Sequence, residues 1–414
     1  MTGIELKEIV IDQNRKRDDG SIINRDILNK YDDFHNNPFI IIISGVRRCG
    51  KSTLLKQIID KNPGYFLNFD DDRLITFTVE DFQKLTEVFY ELYGEKHYYY
   101  LDEIQNIEGW ELYARRLRDE GKKLYITGSN ATMLSKELGT RLTGRFLQLT
   151  LYPFSFKEFI NYKKVPVPKS NNFTTEGKSR LKVAFNQYII LGGFPEYLLT
   201  ENVEYLRTLY NSIIYRDVLA RYNITSDKTV KELMYQIASN IAKEFSYNSL
   251  KKTLKLGSST TIKDYINYIE NSYLLVQIPK FSFSTKSQIY ANKKIYMIDT
   301  AMAILNGFRV SGDMGRLLEN LVCIQLERKN NELFYFRDKF ECDFIAKKNN
   351  AYKAIQVCYD FNDNNRTREI NGLVEAMDKL DLENGIIITI DQEKVLDHDN
   401  KRINIVPAYK WFLN

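Results

Sequence analysis

The chain is poor in the residues that most often carry metal and hydrolytic chemistry. Its 414 residues include three histidines, His35, His97 and His398, widely spaced, which argues against a His-centred hydrolase. Its four cysteines, Cys49, Cys323, Cys342 and Cys358, fall in no paired spacing, so neither a zinc site nor a disulfide framework is indicated. Lone cysteines in a chain without an N-terminal signal sequence point to a reducing cytoplasm. No apolar run approaches the roughly 18 residues of a membrane span, so no membrane partner is expected. A large excess of one charge is also lacking, because the net charge is +5. That small excess is localised: residues 225–300 hold eleven lysines, no arginine and six acidic residues, and the remainder is balanced. Such a segment is either a nucleic-acid surface or a solvated lysine-rich face. With 27% charged and 43% hydrophobic residues, the chain has the composition of a globular protein, and its length allows two to four domains.

The strongest motif follows the apolar run Phe39-Ile40-Ile41-Ile42-Ile43. Residues Gly45-Val46-Arg47-Arg48-Cys49-Gly50-Lys51-Ser52 read G-x-x-x-x-G-K-S, and Thr53 to Ile59 reads as a helix. Glycines at this spacing let the backbone turn tightly, so that N–H groups face phosphate oxygens. Lys51 is placed to reach the β- and γ-phosphates, Ser52 to ligate Mg²⁺, and the helix N-terminus adds its positive end. Residues 45–53 are therefore the candidate nucleotide-binding segment, with ATP and Mg²⁺ as the expected ligands. Arg47 and Arg48 are unusual within such a loop and are candidates for phosphate or partner contact.

A second strand, Gly64 to Phe69, ends in Asp70-Asp71-Asp72, and a helical stretch runs from about Glu80 to Tyr93. Tyr98-Tyr99-Tyr100-Leu101 then leads into Asp102-Glu103, a Walker-B-like pair. Asp102 is the candidate for the magnesium shell and Glu103 for activating water. The strand Lys123–Thr127 ends in Gly128-Ser129-Asn130. Asn130, or else Ser129, is a candidate contact for the γ-phosphate or the attacking water, and equally a cap for the helix Ala131–Leu138. Arg145 and Arg141, before the strand Phe146–Leu149, are candidate arginine fingers, acting in cis or across a subunit interface, with surface ion pairing the alternative.

These segments resemble archaeal and bacterial AAA-type P-loop ATPases that carry a winged-helix segment and a restriction-endonuclease-like C-terminal domain of unknown function. The resemblance rests on GVRRCGKSTLL, YYYLDEIQN, YITGSN, LTGRF, LYPFSFKEF, LGGFPEYL, IYRDVLAR, MGRLLENLV and ECDF, spanning about residues 25 to 358. It implies an α/β P-loop core of the additional-strand type, with the sensor strand between the P-loop and Walker-B strands. The expected domains are an ATPase core over 1–157, a helical lid or linker over 158–224, a winged helix-turn-helix over 225–300 and a PD-(D/E)xK nuclease-like α/β domain over 301–414.

In the lid, Lys163–Gly177 reads as an exposed loop, and the glycines and proline of Leu191-Gly192-Gly193-Phe194-Pro195 call for a fixed bend. Within 225–300, a short helix Phe245–Leu256 and a turn at Gly257 precede a helix Ile262–Asn271 capped by Ser259 or Thr260. Its Ile262, Tyr265, Ile266 and Ile269 fall on one face. Tyr273–Lys280 and Lys294–Ile298 would form the wing. Lys251, Lys252, Lys255 and Lys263 are candidate phosphate contacts for duplex DNA. No arginine on the second helix is available for bidentate guanine reading, so tight sequence specificity is not expected. The alternative is a winged helix used only for packing.

The C-terminal segment reads αβββαβ: helix Met314–Lys329, strands Leu333–Arg337, Phe340–Ala346 and Tyr352–Cys358, helix Arg366–Leu380, strand Gly385–Ile390. Nucleases of the resembled fold need a helix Glu, a strand Asp and a following (Asp/Glu)-x-Lys that together serve Mg²⁺ and water. Glu319 and Asp343 fill the first two places, but the third reads Gln356-Val357-Cys358. A neutral amide is a poor Mg²⁺ ligand, and a thiol cannot replace an ammonium. The expectation is a vestigial nuclease site. Three functions stay open: an ATP-hydrolysing switch or motor acting on DNA or a protein partner, an ATP-regulated nuclease, and a signalling or defence-type ATPase whose nucleotide state controls assembly, including self-association.

Overall fold

Four consecutive isoleucines, Ile40 to Ile43, leave no polar face, and a strand of that kind is stable only when covered on both sides. In the computed structural model, which describes residues 1–15, 22–128, 142, 144–167, 174–307 and 313–414, all four are fully buried. The chain divides into two units, Met1–Tyr152 with Asn271–Tyr273, and Pro153–Glu270 with Leu274–Asn414. Among the described residues, no helix is long and apolar enough to cross a membrane.

The first unit is built on five strands, β1 (Ile40–Ser44), β2 (Tyr65–Asn68), β3 (Tyr98–Asp102), β4 (Lys123–Gly128) and β5 (Phe146–Thr150). They form one parallel sheet in the order β2-β3-β4-β1-β5. The P-loop strand β1 is therefore flanked by β4 and β5, and β4 separates it from the strand that carries Asp102. The helices Lys51–Lys61, Phe82–Tyr93 and Trp110–Asp119 accompany the sheet. The core is strongly aromatic, with Tyr65 stacked on Phe89 at 4.7 Å and Phe82 on Tyr113 at 4.3 Å between ring centres. Parallel strands with helical crossovers bring loops to one edge of the sheet, and ligands of open α/β sheets bind beyond the carboxyl ends of the strands.

The second unit starts with helices, Phe156–Tyr162, Thr175–Leu191, Pro195–Thr200, Val203–Ser212 and Ile213–Ala220. Helix thus begins at Thr175, inside the segment read as a loop. The Gly192-Gly193 bend is held tightly. Gly193 donates its N–H to Asp299 at 2.7 Å and accepts from Phe154 N at 2.6 Å, and a Cβ on Gly192 (φ +64°) would lie 2.0 Å from the Asp299 carboxylate. Three helices, Asp227–Ser239, Tyr247–Thr253 and Ser259–Asn271, accompany an antiparallel sheet β6-β8-β7 of Glu244–Phe245, Lys293–Met297 and Leu275–Pro279, with β6 between the first two helices in the chain. Phe245 belongs to β6 and not to a helix. The third helix starts earlier than expected, at Ser259, and Ser258 takes the capping position by accepting from Thr260 N–H at 3.1 Å.

Six further strands follow: β9 (Glu332–Arg337), β10 (Glu341–Lys348), β11 (Ala351–Val357), β12 (Asn384–Thr389), β13 (Lys394–His398) and β14 (Lys401–Pro407). They form a mixed sheet, β13-β14-β12-β11-β10-β9, with the helix Arg366–Lys379 packed on it. Gly372 permits that packing, because a Cβ there would lie 2.0 Å from the Glu341 carbonyl oxygen. The helix Thr300–Leu305 and the last two strands were not foreseen. A signal for the hairpin is present: Asp399 and Asn400 both have positive φ, and Asp-Asn at such a turn is hairpin chemistry.

Candidate functional site

The P-loop is shaped by what surrounds its backbone. Gly45 has φ +145°, and a Cβ there would lie 2.1 Å from the Leu151 carbonyl oxygen. Gly50 has φ +98° and starts the helix Lys51–Lys61. The buried Arg25 donates to the Cys49 carbonyl at 2.7 Å and to the Tyr152 carbonyl at 2.6 Å. A peptide plane is rigid and trans, so turning the Cys49 carbonyl toward Arg25 turns the Gly50 N–H the other way. Cys49 is fully buried, its thiol donating to Leu151 O at 3.3 Å, and burial pushes that thiol above its ordinary pKa. Ser52, Thr53 and Arg48 are exposed, Arg47 and Gly50 half-buried, and Val46 buried. The candidate binding residues 45–53 thus line one loop and one helix start.

Lys51 is buried, donates to the Gly45 and Val46 carbonyls at 3.2 and 3.3 Å, and lies 3.8 Å from the Glu103 carboxylate. Asp102 closes β3 and is also buried. Burial raises its carboxyl above the usual range, opposed by a hydrogen bond from the Thr127 hydroxyl and by the nearby Ser52 hydroxyl. Its other oxygen, Oδ2, is buried without a hydrogen bond among the described residues. Glu103 takes a left-handed backbone (φ +52°), which swings its carboxylate out of the strand to where Gln105 donates to it. Its N–H donates to Thr127 Oγ1 at 2.9 Å. Thr127 therefore ties both carboxylate residues to β4.

The fold brings together Lys51, Ser52, Asp102 and Glu103 at the carboxyl ends of β1 and β3, the strands on either side of β4. Asn130, Ser129 and Arg141 lie outside the described residues. Arg145 is a correction to the cis reading. Its carbonyl pairs with Ile40 N–H at 3.0 Å, where β1 begins, and it precedes β5, which runs parallel to β1. It therefore sits at the far end of the strands from the P-loop, about 15 Å away at ~3.3 Å per residue. Arg25 and Thr127 were missed. Thr127 carried a signal, a polar residue inside a buried strand; an isolated arginine 20 residues before the motif carried none.

A second constellation lies in the other unit. Lys294 on β8 is buried, and its ammonium lies 2.9 Å from Glu319, 2.6 Å from Glu341 and 3.3 Å from Asp343. Glu319 also accepts from Tyr296 OH at 2.7 Å. Gln356 is not aimed at this group as a ligand: its carbonyl accepts from Asp343 N–H at 3.2 Å and its amide donates to Glu369 at 2.6 Å. Cys358 is buried, which pushes its thiol up to about 12. An ammonium is thus present beside Glu319 and Asp343, and it arrives from another sheet. Glu319, Glu341, Asp343, Gln356, Cys358 and Glu369 line an open cleft of about 800 Å³, whereas Lys294 and Tyr296 are buried and do not line it. Elsewhere in the unit, Lys252, Lys255 and Lys263 are exposed and Lys251 half-buried, on or next to the helices Tyr247–Thr253 and Ser259–Asn271.

Three domain families match the chain. An AAA domain matches residues 37–160, and two domains of unknown function match 182–309 and 314–411. An uncharacterized protein of Methanocaldococcus jannaschii is 36% identical over 432 residues, covering 99% of this chain and 95% of that one. An uncharacterized protein of Haemophilus influenzae is 30% identical over 364 residues, covering 83% of this chain and 88% of its own length. Among solved structures, AMPPCP-bound DnaA from Aquifex aeolicus matches at 15% identity, covering 60% of this chain and 86% of its own, with a TM-score of 0.26, too low to bear on function. The chain belongs to a family of archaeal and bacterial proteins that join an AAA domain to two C-terminal domains of unknown function.

Proposed function

We propose that the chain is a Mg²⁺-dependent ATPase whose nucleotide cycle drives a conformational switch or motor linked to DNA or a protein partner through its C-terminal domains. The observation that carries this reading is the meeting of Lys51, Ser52, Asp102 and Glu103 at the carboxyl ends of β1 and β3. Inward-facing N–H groups of residues 45–53, with the helix start below them, bind and orient the triphosphate. Lys51, loosely held by two carbonyls, exchanges those contacts for phosphate oxygens. The buried, unbonded Asp102 Oδ2 beside the Ser52 hydroxyl fits a Mg²⁺ shell, in which one or two carboxylates plus substrate phosphates suffice. When bound, the ion neutralises charge developing on the phosphates. Glu103, held off the strand by its left-handed backbone, takes a proton from the attacking water. An arginine finger supplied by Arg145 would act across a subunit interface.

The three helices and the β6-β8-β7 sheet, with β6 after the first helix and β7 and β8 after the third, support a winged helix-turn-helix reading, with Lys251, Lys252, Lys255 and Lys263 as backbone contacts to duplex DNA. The mixed sheet with Glu319 and Asp343 supports a nuclease-like fold for the last domain. The test is ATP turnover with and without duplex DNA, in wild type and Lys51→Ala. Wild-type-like turnover in that variant would remove the active-site assignment, and a rate indifferent to duplex DNA at low salt would remove the DNA link.

A further inference from the structure

We propose that Lys294 is a resident cation standing where the nuclease-like fold would hold a divalent metal, so that the cleft between Glu319 and Asp343 is metal-independent and does not cut nucleic acid. This inference rests on the nuclease-like reading of the last domain and is independent of the ATPase reading.

An ammonium has three donors and no acceptor, and here it meets three carboxylates at 2.6, 2.9 and 3.3 Å. Two of the oxygens left over are also committed: Asp343 Oδ2 accepts from Val357 N–H at 2.9 Å, and Glu341 Oε2 lies 3.4 Å from Arg337. On Glu319 the oxygen that faces Lys294, Oε1, also accepts from Tyr296 OH at 2.7 Å. Among the described residues, no group of three or more His, Cys, Asp or Glu is arranged to hold a metal ion. Burial opposes the charge on Lys294, yet Glu319, Asp343 and Glu341 together hold it well above the ordinary lysine value, so it stays an ammonium.

The position of Lys294 is fixed by more than its charge. Its strand, β8, lies between β6 and β7, with Lys294 paired to Glu244 and to Ile278. Beyond β7, Phe281 donates its N–H to the Tyr335 carbonyl of β9 at 2.7 Å, which joins the two sheets. Asn320, one residue after Glu319, clamps Met297 from both sides, accepting its N–H and donating to its carbonyl, each at 2.8 Å. These bonds fix the main chain from which Lys294 extends, and the three carboxylates hold its ammonium. The carboxylates that lack an (Asp/Glu)-x-Lys beside them thus take their positive charge from β8.

The experiment uses the full nucleotide-free chain and Mn²⁺ as the probe, followed by electron paramagnetic resonance and thermal midpoint. The compared forms are wild type, Lys294→Ala, Lys294→Ala with Asp343→Asn, and Asp343→Asn alone. Expected is a Mn²⁺ site gained by Lys294→Ala, about tenfold or more tighter than any wild-type binding in the cleft, because a positive charge at ion-pair distance has been removed. That site should be lost again when Asp343→Asn is added, and Mn²⁺ should raise the midpoint of Lys294→Ala but not of wild type. A folded Lys294→Ala that gains no site overturns the proposal. So does wild-type Mn²⁺ binding, or plasmid nicking in Mg²⁺ or Mn²⁺, that Asp343→Asn abolishes. Should Lys294→Ala fail to fold, wild type against Asp343→Asn decides: Asp343-dependent binding or nicking refutes, and its absence supports.

Discussion

The two units each set a lysine among carboxylates, and they do so to opposite ends. In the first, Lys51 makes two backbone contacts longer than 3 Å and a single ion pair at 3.8 Å, beside the exposed Ser52 and Thr53. In the second, Lys294 is enclosed by three carboxylates, none farther than 3.3 Å, with its strand clamped on both sides. Charge pairs held loosely at an open loop can be re-formed around a ligand. Pairs that fill every donor in a buried site are costly to break, because removing one partner strands the others. The residue types are shared, and the degree of commitment separates a site poised for a ligand from one already satisfied.

The largest break in this comparison should come from Lys51→Ala, which is expected to abolish ATP hydrolysis while circular dichroism and thermal midpoint stay near wild type, since its contacts are few. Glu103→Gln should lower turnover by about 10²–10⁴-fold with nucleotide binding retained, as for loss of a general base; an unchanged rate would remove that role. Lys294→Ala should do the reverse of Lys51→Ala. It should destabilise its unit by about 3–5 kcal/mol, read from denaturant midpoints, and leave ATP affinity unchanged. Thr127→Val should cost about 1–3 kcal/mol, by leaving the Asp102 carboxylate and the Glu103 N–H each short of a partner. The smallest effect is electrostatic: neutralising Lys251, Lys252 and Lys255 should reduce the salt slope of duplex binding by up to roughly three.

Legibility followed the range over which each residue makes its contacts. The P-loop strand, the Asp102 strand and the helix Met314–Arg328 were readable because their patterns are local: a run of isoleucines, an aromatic strand ending in carboxylates, a helical repeat. The end of the chain was read less well. β13 is short and largely exposed, while β14 buries Ile403 and Ile405 in a period-2 pattern that went unread beside the Asp399-Asn400 turn signal. Arg145 looked suited to phosphate because the order of residues does not reveal which end of a strand faces the site.

What the sequence determined by itself was the chemistry of the P-loop, since glycine, lysine and serine at that spacing act through the backbone they also shape. It also determined that Gln356-Val357-Cys358 offers no lysine beside Asp343. Only the tertiary structure decided what holds these groups. Arg25 and Thr127 act on residues more than 20 positions away, and Lys294 reaches Glu319 and Asp343 from a strand of another sheet. Burial and sheet order set those contacts, and neither is a property of any local stretch of chain.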